Sequence, residues 1–190
     1  MTKGMYHYMR QAWREPNIEL LRQRMIDWRA SEAVVKLEKP IRLDKARSLG
    51  YKAKKGFVIA RVRIERGGRK KSRPKKGRRS KRLTIRKTLK MNYQWVAEQR
   101  AANKFHNLEV LNSYKIGKDG IYYFYEVILV DPDKPEIKSD RTTSWITSPS
   151  QKGRVFRGLT SSGKKSRGLR KKSHEQKVRP SLRARNRQGK

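Results

Sequence analysis

Residues 121–130 read IYYFYEVILV. Both sets of alternating positions are apolar apart from one glutamate, which is the pattern of a central β-strand covered on both faces. The turn residues GKDG at 117–120 separate this run from residues 108–116, so the three segments predict a β-hairpin with a four-residue loop. This hairpin is the centre of the predicted fold.

The aromatic residues of this run allow two interpretations. Residues 122–125 (Tyr, Tyr, Phe, Tyr) pack in the core if the strand is central, whereas they stack on bases if the sheet binds RNA. Stacking sites normally lie in a positively charged groove, and this segment is poor in Lys and Arg. We therefore predict core packing.

The sequence FVIARVRI at 57–64 predicts a second strand. One face carries Val58, Ala60, Val62 and Ile64, and the other carries Phe57, Ile59, Arg61 and Arg63. The second face changes from apolar to basic along the strand, so the strand directs the chain toward the basic segment that follows it.

That segment, residues 66–82, reads RGGRKKSRPKKGRRSKR and is called the basic arm below. It holds 11 Lys or Arg among 17 residues and no acidic or apolar side chain, so it has no face to bury. Fully extended it would span roughly 55–60 Å, at about 3.3–3.6 Å per residue. Such runs also occur as linkers or nuclear-localisation signals, but the charge of the whole chain favours a binding role.

Two helices are predicted at the N-terminus. Apolar residues between Met5 and Trp13 recur at helical spacing, and Pro16 suits the first turn of a second helix. In that helix one stripe carries Ile18, Leu21, Met25 and Trp28, while Arg22, Arg24 and Arg29 lie off it. Such a stripe is typical of packing against a core rather than of base stacking.

Three further elements are predicted around these. Val34–Leu37 is a candidate short strand, and Asp44 is a candidate N-cap of a short helix that Gly50 ends. After the basic arm, helical spacing of the apolar residues predicts a helix from the high eighties to about Asn103. We expect that helix to lie on the sheet.

Charge is distributed unevenly along the chain. Residues 1–65 carry 16 basic and 7 acidic groups, residues 66–104 carry 16 and 1, residues 105–150 carry 5 and 7, and residues 151–190 carry 15 and 1. The net charge of +36 on 190 residues would repel itself strongly in a compact free protein. A polyanionic partner is therefore predicted, and we expect the apolar-poor segment 151–190 to be irregular until it binds.

Several classes of protein are disfavoured by composition. The chain has no Cys, which excludes disulfides, Cys-ligated zinc and thiol catalysis. No apolar run is long enough to span a bilayer and the N-terminus lacks the apolar core of a signal peptide, so we expect an intracellular protein without a membrane partner. His7, His106 and His174 are scattered without ligand spacing, and no carboxylate pair suits a nuclease, so we predict no metal and no catalytic residue.

The segment GLTSSGKKS at 158–166 resembles a phosphate-binding loop of nucleotide triphosphatases. Two glycines five residues apart precede a lysine, as that loop requires, but Lys165 occupies the position of the magnesium-binding hydroxyl. No apolar strand precedes the segment. We therefore predict no cofactor and no nucleotide or other small-molecule substrate, and expect the segment to meet nucleic-acid phosphates instead.

Five stretches together resemble a known family. They are LDKARSLGYKAKKGFVIARVRIERGGRKK at 43–71, EVLNSY at 109–114, FYEVILVDP at 124–132, WIT at 145–147 and RGLTSSGKKSRGL at 157–169. In this order they are similar to the fifteen-e family of large-subunit ribosomal proteins of archaea and eukaryotes. The resemblance covers most of the chain, and the least similar parts are residues 72–90 and those beyond Arg170.

The resemblance implies an α+β fold with a small four-stranded antiparallel sheet in strand–strand–helix–hairpin order, with basic extensions that thread ribosomal RNA. The strands and helices predicted from the residues themselves agree with that order. It also implies a structural, non-catalytic role in cytoplasmic ribosomes, with large-subunit rRNA and neighbouring large-subunit proteins as partners.

These observations divide the chain into three parts. Residues 1–32 are an N-terminal helical segment, residues 33–150 are an α+β core interrupted by the basic arm, and residues 151–190 are a basic C-terminal extension. The predicted function is that of a structural constituent of the large ribosomal subunit, which binds and stabilises folded rRNA through its basic extensions.

Candidate RNA-binding residues are the Lys and Arg side chains in and around the two basic blocks. They are Lys45, Arg47, Lys52, Lys54, Lys55, Arg61, Arg63, Arg66, Arg69, Lys70, Lys71, Arg73, Lys75, Lys76, Arg78, Arg79, Lys81, Arg82, Arg154, Arg157, Lys164, Lys165, Arg167 and Arg170. Such side chains bind the phosphate backbone without reading sequence.

Two other functions share part of this pattern. A DNA-packaging or chromatin protein would carry a similar charge, but such a protein usually presents a repeated surface to a uniform duplex, whereas this chain has one core and two dissimilar extensions. An RNA-processing enzyme would need a pocket with acids or metal ligands, which the sequence does not indicate.

Overall fold

The computed structural model describes residues 2–70, 77, 86–87, 89 and 91–170. Its helices are α1 (Met5–Arg14), α2 (Ile18–Ala30), α3 (Leu43–Ser48), α4 (Tyr93–Lys104), α5 (Pro135–Lys138) and α6 (Ser161–Ser166). Its strands are β1 (Val34–Leu37), β2 (Phe57–Glu65), β3 (Arg69–Lys70), β4 (Arg86–Lys87), β5 (Glu109–Lys118) and β6 (Tyr122–Val130). Short 3-10 helices lie at Ser144–Thr147 and Pro149–Gln151.

Four strands form one antiparallel sheet in the order β1-β2-β6-β5. The predicted α+β fold with a four-stranded antiparallel sheet is therefore confirmed. Strand β6 is internal and pairs with β2 on one side, where Ile59 lies opposite Ile128, and with β5 on the other. Both of its faces are covered, because all residues from Phe124 to Val130 are buried.

Each face of the sheet has its own core. On one face, Ala60, Val62 and Ile64 of β2 pack with Val127 of β6 and with Ala97 of α4. On the other face, Ile59 and Ile128 pack with Trp28 of α2 and Ala46 of α3. The alternation predicted for residues 57–64 is confirmed, because successive side chains of a strand point to opposite faces.

The two aromatic pairs of β6 have different surroundings. Phe124 and Tyr125 are buried in the two cores, as predicted, and burial raises the pKa of Tyr125 to about 12. Tyr122 and Tyr123 are only half-buried, near the end of the sheet where the basic arm begins. The prediction of core packing is therefore confirmed for Phe124 and Tyr125, whereas Tyr122 and Tyr123 are only partly covered by the core.

The predicted hairpin is present with a shorter loop. Gly117 and Lys118 still pair with β6, so only residues 119–121 connect the strands. The Asp119 side chain accepts hydrogen bonds from the backbone N–H groups of Ile121, at 2.8 Å, and of Tyr122. This local cap allows a three-residue loop where the Gly-rich sequence predicted four.

Three predicted helix starts are wrong. Helix α2 begins at Ile18, which is exposed, so Pro16 lies before the helix rather than in its first turn. Asn17 caps this helix and accepts from the Leu20 N–H at 3.1 Å. Asn92 caps α4 at Trp95 N, 2.7 Å away, so the helix begins at Tyr93 rather than in the high eighties.

In α3 the N-cap position is held by Arg42. Asp44 makes no cap hydrogen bond and pairs with the Arg42 guanidinium at 3.2 Å. The predicted end of this helix is confirmed, since Gly50 has a φ of +99°, the left-handed conformation that glycine adopts most easily.

The first half of the C-terminal extension is ordered on the core. Residues 151–170 form turns and the short helix α6, and Val155 is buried in the same core as α4. The indole N–H of Trp95 donates to the Val155 carbonyl at 2.7 Å. The expectation that this part is irregular is wrong for residues 151–170, and residues 171–190 lie outside the described residues. Within the part of the chain that the structure describes, no helix is long and apolar enough to cross a bilayer.

Candidate nucleic-acid interface

The basic arm begins at the end of β2, next to the β5–β6 hairpin loop. The Arg66 N–H donates to the Ile121 carbonyl at 2.7 Å, and the Arg66 guanidinium donates to the Asp119 carbonyl. These bonds fasten the chain to the loop just beyond the last strand pair. The direction in which the chain leaves the sheet is therefore fixed.

Two half-buried tyrosines at this point hold three cations on their rings. The Arg63 guanidinium lies 4.8 Å from the ring centre of Tyr122, while Arg66 and the Lys115 ammonium lie 5.0 and 4.8 Å from that of Tyr123. Each exposed contact of this type contributes roughly 0.5–1 kcal/mol. The aromatic rings thus position cationic groups that would otherwise repel one another.

Tyr93 of α4 completes this arrangement. Its ring lies 5.1 Å from that of Tyr123, and its hydroxyl donates to the Gly67 carbonyl at 2.8 Å. The pKa of Lys115 lies below its usual value because partial burial, Lys118 and Arg66 all disfavour its charged form. We call the surface formed by Arg63, Arg66, Tyr93, Lys115, Tyr122 and Tyr123 the arm root. Its surplus of positive charge favours an anion.

Two short strands on either side of residues 71–85 lie next to each other, and the first of them follows Arg66 of the arm root closely in sequence. Arg69–Lys70 pairs antiparallel with Arg86–Lys87, in a two-stranded ladder separate from the main sheet. Four basic residues are therefore brought together by backbone pairing. No sequence pattern indicates this pairing, because neither strand has an apolar residue.

Eight of the candidate residues lie outside the described residues. They are Lys71, Arg73, Lys75, Lys76, Arg78, Arg79, Lys81 and Arg82. Arg69 and Lys70 are placed as part of β3.

A buried carboxylate, Glu98 of α4, holds the C-terminal segment against the sheet. It accepts hydrogen bonds from the hydroxyls of Thr160 and Ser162, each at 2.6 Å, and from that of Ser113 in β5. Burial raises the pKa of Glu98, and the three hydroxyls and nearby Arg154 only partly offset this effect. The acid thus has a structural role, because every described hydrogen-bond partner is a side chain of the fold.

The two glycines of the loop-like pattern at 158–166 serve close packing. A Cβ added at Gly163 would lie 2.7 Å from the Gly158 Cα, so the backbones touch there. The Gly163 N–H is bound to the Thr160 side chain, which caps α6. This N–H is therefore already engaged within the protein, and the absence of a nucleotide site stays a prediction.

Other candidate residues in this segment divide between the interior and the surface. Arg154 is buried and donates to the carbonyls of Val110 and Leu111, and burial lowers its pKa. Arg167 donates to the Gly158 carbonyl at 3.1 Å. Lys164 and Lys165 are exposed on α6, as are Arg157 and Arg170 near it.

Near α3, some candidate lysines are already paired. The Nζ atoms of Lys52 and Lys54 lie 2.7 and 2.6 Å from Asp140, and together they hold the pKa of that carboxyl well below its usual range. Arg61 is half-buried over the Trp28 ring and donates to the Ser31 hydroxyl at 2.7 Å. The exposed candidates in this region are Lys45, Arg47 and Lys55.

Sequence reasoning missed the aromatic and acidic partners that position these cations. Tyr93 and Lys115 belong to the arm root although they lie in segments with other predicted roles, and the sequence analysis predicts no role for Glu98. No local pattern marks them, since their partners are distant in the chain. Across the described residues, no group of three or more His, Asp or Glu could hold a metal ion.

A comparison with protein families agrees with the fold and the charge distribution. A family model described as Ribosomal L15, of the L15e type, matches residues 4–185 of the 190-residue chain. Proteins of this family are ribonucleoprotein components of the large subunit of the cytoplasmic ribosome and take part in translation. The match covers far more than half of the chain, and the chain therefore belongs to the ribosomal L15e family of large-subunit structural proteins.

Proposed function

We propose that this chain binds and stabilises folded large-subunit rRNA through its basic arm and its C-terminal segment, without catalysing a reaction. The observation that carries the proposal is the arm root, where three cations are held on tyrosine rings at the point from which the basic arm departs. The surrounding rRNA and its neighbouring proteins are the partners. No sequence-specific contact is needed, since rRNA shape supplies the specificity.

The basic arm contributes affinity by binding phosphates. Each phosphate that it neutralises releases condensed counterions, which is why such binding weakens steeply with salt. The pairing of Arg69–Lys70 with Arg86–Lys87 holds the two flanks of residues 71–85 beside each other. Because both flanks of this segment are held together, less conformational freedom has to be lost when the segment binds RNA.

The C-terminal segment contributes a second, preformed binding surface. Glu98 fixes residues 158–166 on α4, so Lys164 and Lys165 are presented from an ordered helix rather than from a free chain. Both lysines act as point charges toward phosphate oxygens. Buried Arg154 and the paired Lys52 and Lys54 have structural roles in this proposal.

The proposed RNA-binding residues within the described part of the chain are the exposed cations of the arm root, of the C-terminal segment and of the region near α3, together with half-exposed Arg63. They are Lys45, Arg47, Lys55, Arg63, Arg66, Arg157, Lys164, Lys165 and Arg170. The basic arm adds its own Lys and Arg residues.

Salt-dependent binding tests the contribution of the basic arm. Replacing Arg69, Lys70, Lys71 and Arg73 with Ser should flatten the slope of log affinity against log salt by roughly 3, because each phosphate left without its cation reduces the slope by about 0.7–0.9. A matched variant removes the same charge outside the proposed binding surfaces, by replacing Lys39, Lys134, Lys138 and Arg141 with Ser, all of them exposed. We expect this control to change the slope by less than about 1.

The ligand in this measurement is large-subunit rRNA, with duplex DNA as comparator. The wild-type chain should prefer folded rRNA at matched salt. An equal slope for the two quadruple variants would show that only total charge matters, and a preference for duplex DNA would indicate the DNA-packaging function instead.

A further inference from the structure

A further cationic surface lines a cleft of about 460 Å³ between α1 and α3. Four basic side chains line it, Arg10 and Arg14 from α1 and Arg42 and Lys45 from the α3 side, with Trp13 and Asp44 between them. Arg10, Arg14 and Arg42 are not among the candidate residues predicted from sequence.

The cleft has an excess of positive charge. Arg10 and Arg14 are four residues apart on one helix face, where like charges destabilise a helix. The one carboxylate of the lining, Asp44, is already bound to Arg42 at 3.2 Å and is almost fully buried. Within the described residues, no acid lies within ion-pair distance of Arg10, Arg14 or Lys45.

Two buried polar atoms at this cleft also lack partners. The Nε atom of Arg42 has no acceptor and the Oδ1 atom of Asp44 has no donor among the described residues. The guanidinium itself lies 5.0 Å from the ring centre of Trp13, which holds it in place. A guanidinium binds a phosphate strongly, because two parallel charge-assisted hydrogen bonds can form, as they also can with a carboxylate.

Helix α1 is held to the core by few interactions. None of its described residues is buried. It meets the α3 side through the pairing of Arg42 with Trp13 and that of Arg47 with Tyr6, whose ring centre lies 6.0 Å from the guanidinium and whose hydroxyl accepts from it. Packing alone therefore contributes little, and the facing cations oppose it.

We propose that the cleft binds a backbone phosphate of RNA, and that this phosphate docks α1 onto α3 by bridging Arg10 and Arg14 to Arg42 and Lys45. The inference rests on the proposed function, because RNA is the polyanion that the chain is proposed to bind. It adds a binding surface on the N-terminal helix, independent of the basic arm. A phosphodiester suits the cleft because a single anion can face all four cations.

Hydrogen exchange of the α1 amides tests this inference in the full-length chain. The probe is a stem–loop RNA of fixed sequence, compared with inorganic phosphate and with polyglutamate. The test variant is Arg10→Gln with Arg14→Gln, and the matched control is Arg22→Gln with Arg24→Gln, which removes two equally exposed charges from α2. Neither pair belongs to the core, so both variants should fold.

We expect RNA to slow exchange in residues 5–14 by about tenfold or more in the wild type and in the control. In the Arg10 and Arg14 variant this protection should disappear, and the salt slope of RNA binding should fall by about 1. Inorganic phosphate alone should protect α1 only weakly.

Three results would overturn the inference. They are protection that persists in the Arg10 and Arg14 variant, equal loss of protection in the control, and protection by polyglutamate as strong as that by RNA, which would assign the cleft to an acidic protein segment. In each of these cases RNA binding by the basic arm still stands. Failure of the wild type to bind the stem–loop at all would overturn both the inference and the proposed function.

Discussion

Glu98 shows how a single buried residue helps to hold a basic segment on the core. The carboxyl group is fully buried on α4 and receives three hydroxyl hydrogen bonds, two of them from residues more than 60 positions later in the chain. Because burial raises its pKa, Glu98 holds a proton more tightly in the folded state than in the unfolded state. Its contribution to stability therefore depends on pH.

Because the pKa is raised, we predict that the contribution of Glu98 to stability falls as pH rises. A raised pKa contributes stability that is fully present below the unfolded value, near 4.5, and is lost as pH rises through the folded value. Glu98→Gln removes the titration and keeps the shape of the side chain. Relative to this variant, the wild type should lose free energy of unfolding as pH rises above 4.5.

Urea denaturation of both proteins across this pH range measures the difference. Burial also raises the pKa of Glu126, but this residue is present in both proteins. Its effect on the free energy of unfolding should therefore largely cancel in the difference between them. A difference between the two proteins that does not change with pH would show that the Glu98 pKa is not raised.

At the scale of elements, the packing of α6 against the preceding turn depends on two glycines. Gly158 and Gly163 touch through their backbones, and a Cβ on Gly158 would also lie 3.1 Å from the Trp95 ring. This close approach gives the two glycines of the loop-like pattern a packing role within the protein. The glycines are needed for proximity to protein rather than to phosphate.

The second prediction concerns this pair of glycines. Gly163→Ala should lower the free energy of unfolding by about 1–3 kcal/mol, the usual cost of overpacking, because the new Cβ meets backbone atoms that cannot move aside. The favourable helix propensity of Ala offsets only part of this destabilisation. Gly120→Ala is the control, since its Cβ would meet nothing within 4 Å. Similar stability of the two variants would show that the segment accommodates the added methyl group.

The arm root is a second case of elements acting together. Strand β2 supplies Arg63, strand β5 supplies Lys115, strand β6 supplies Tyr122 and Tyr123, and α4 supplies Tyr93. We predict that Tyr123→Leu weakens rRNA binding by about fivefold to thirtyfold, since it removes the ring that holds two cations and each such interaction contributes roughly 0.5–1 kcal/mol. Far-ultraviolet circular dichroism should remain unchanged, because Tyr123 is only half-buried. Wild-type affinity for this variant would show that the ring does not position Arg66 and Lys115.

For the whole molecule, the separation of charge along the chain produces surfaces of different character. The segment 105–150 carries more acidic than basic groups, whereas both flanking blocks are strongly basic. Assembly into a ribonucleoprotein should therefore depend on where a charge lies and not only on the total.

Charge reversal on the two surfaces tests this dependence. Lys164→Glu with Lys165→Glu should impair incorporation into large subunits, because phosphates would repel the new carboxylates. Lys134→Glu with Lys138→Glu changes the net charge equally on the acid-rich segment and should incorporate nearly normally. Sedimentation of the tagged variants from a gentle lysate gives the fraction in large subunits. Equal incorporation of both would contradict the proposed role of α6.

The sequence by itself determined the elements of the sheet and the location of the charge. Period-two alternation at 57–64, the doubly apolar run at 121–130 and the basic blocks depend on neighbouring residues, so they can be seen without a structure. The helix caps at Asn17 and Asn92 were missed because local hydrogen-bonding groups compete closely at helix ends.

Only the tertiary structure decided which of the described cations are buried, paired or exposed. The sequence does not distinguish Arg154, which is buried against backbone carbonyls, from exposed Lys164, and it does not show that Glu98 binds Thr160 and Ser162. The cleft of Arg10, Arg14 and Arg42 is likewise formed by segments distant in the chain. Burial and pairing depend on interactions between residues far apart in sequence, and local patterns carry no information about those interactions.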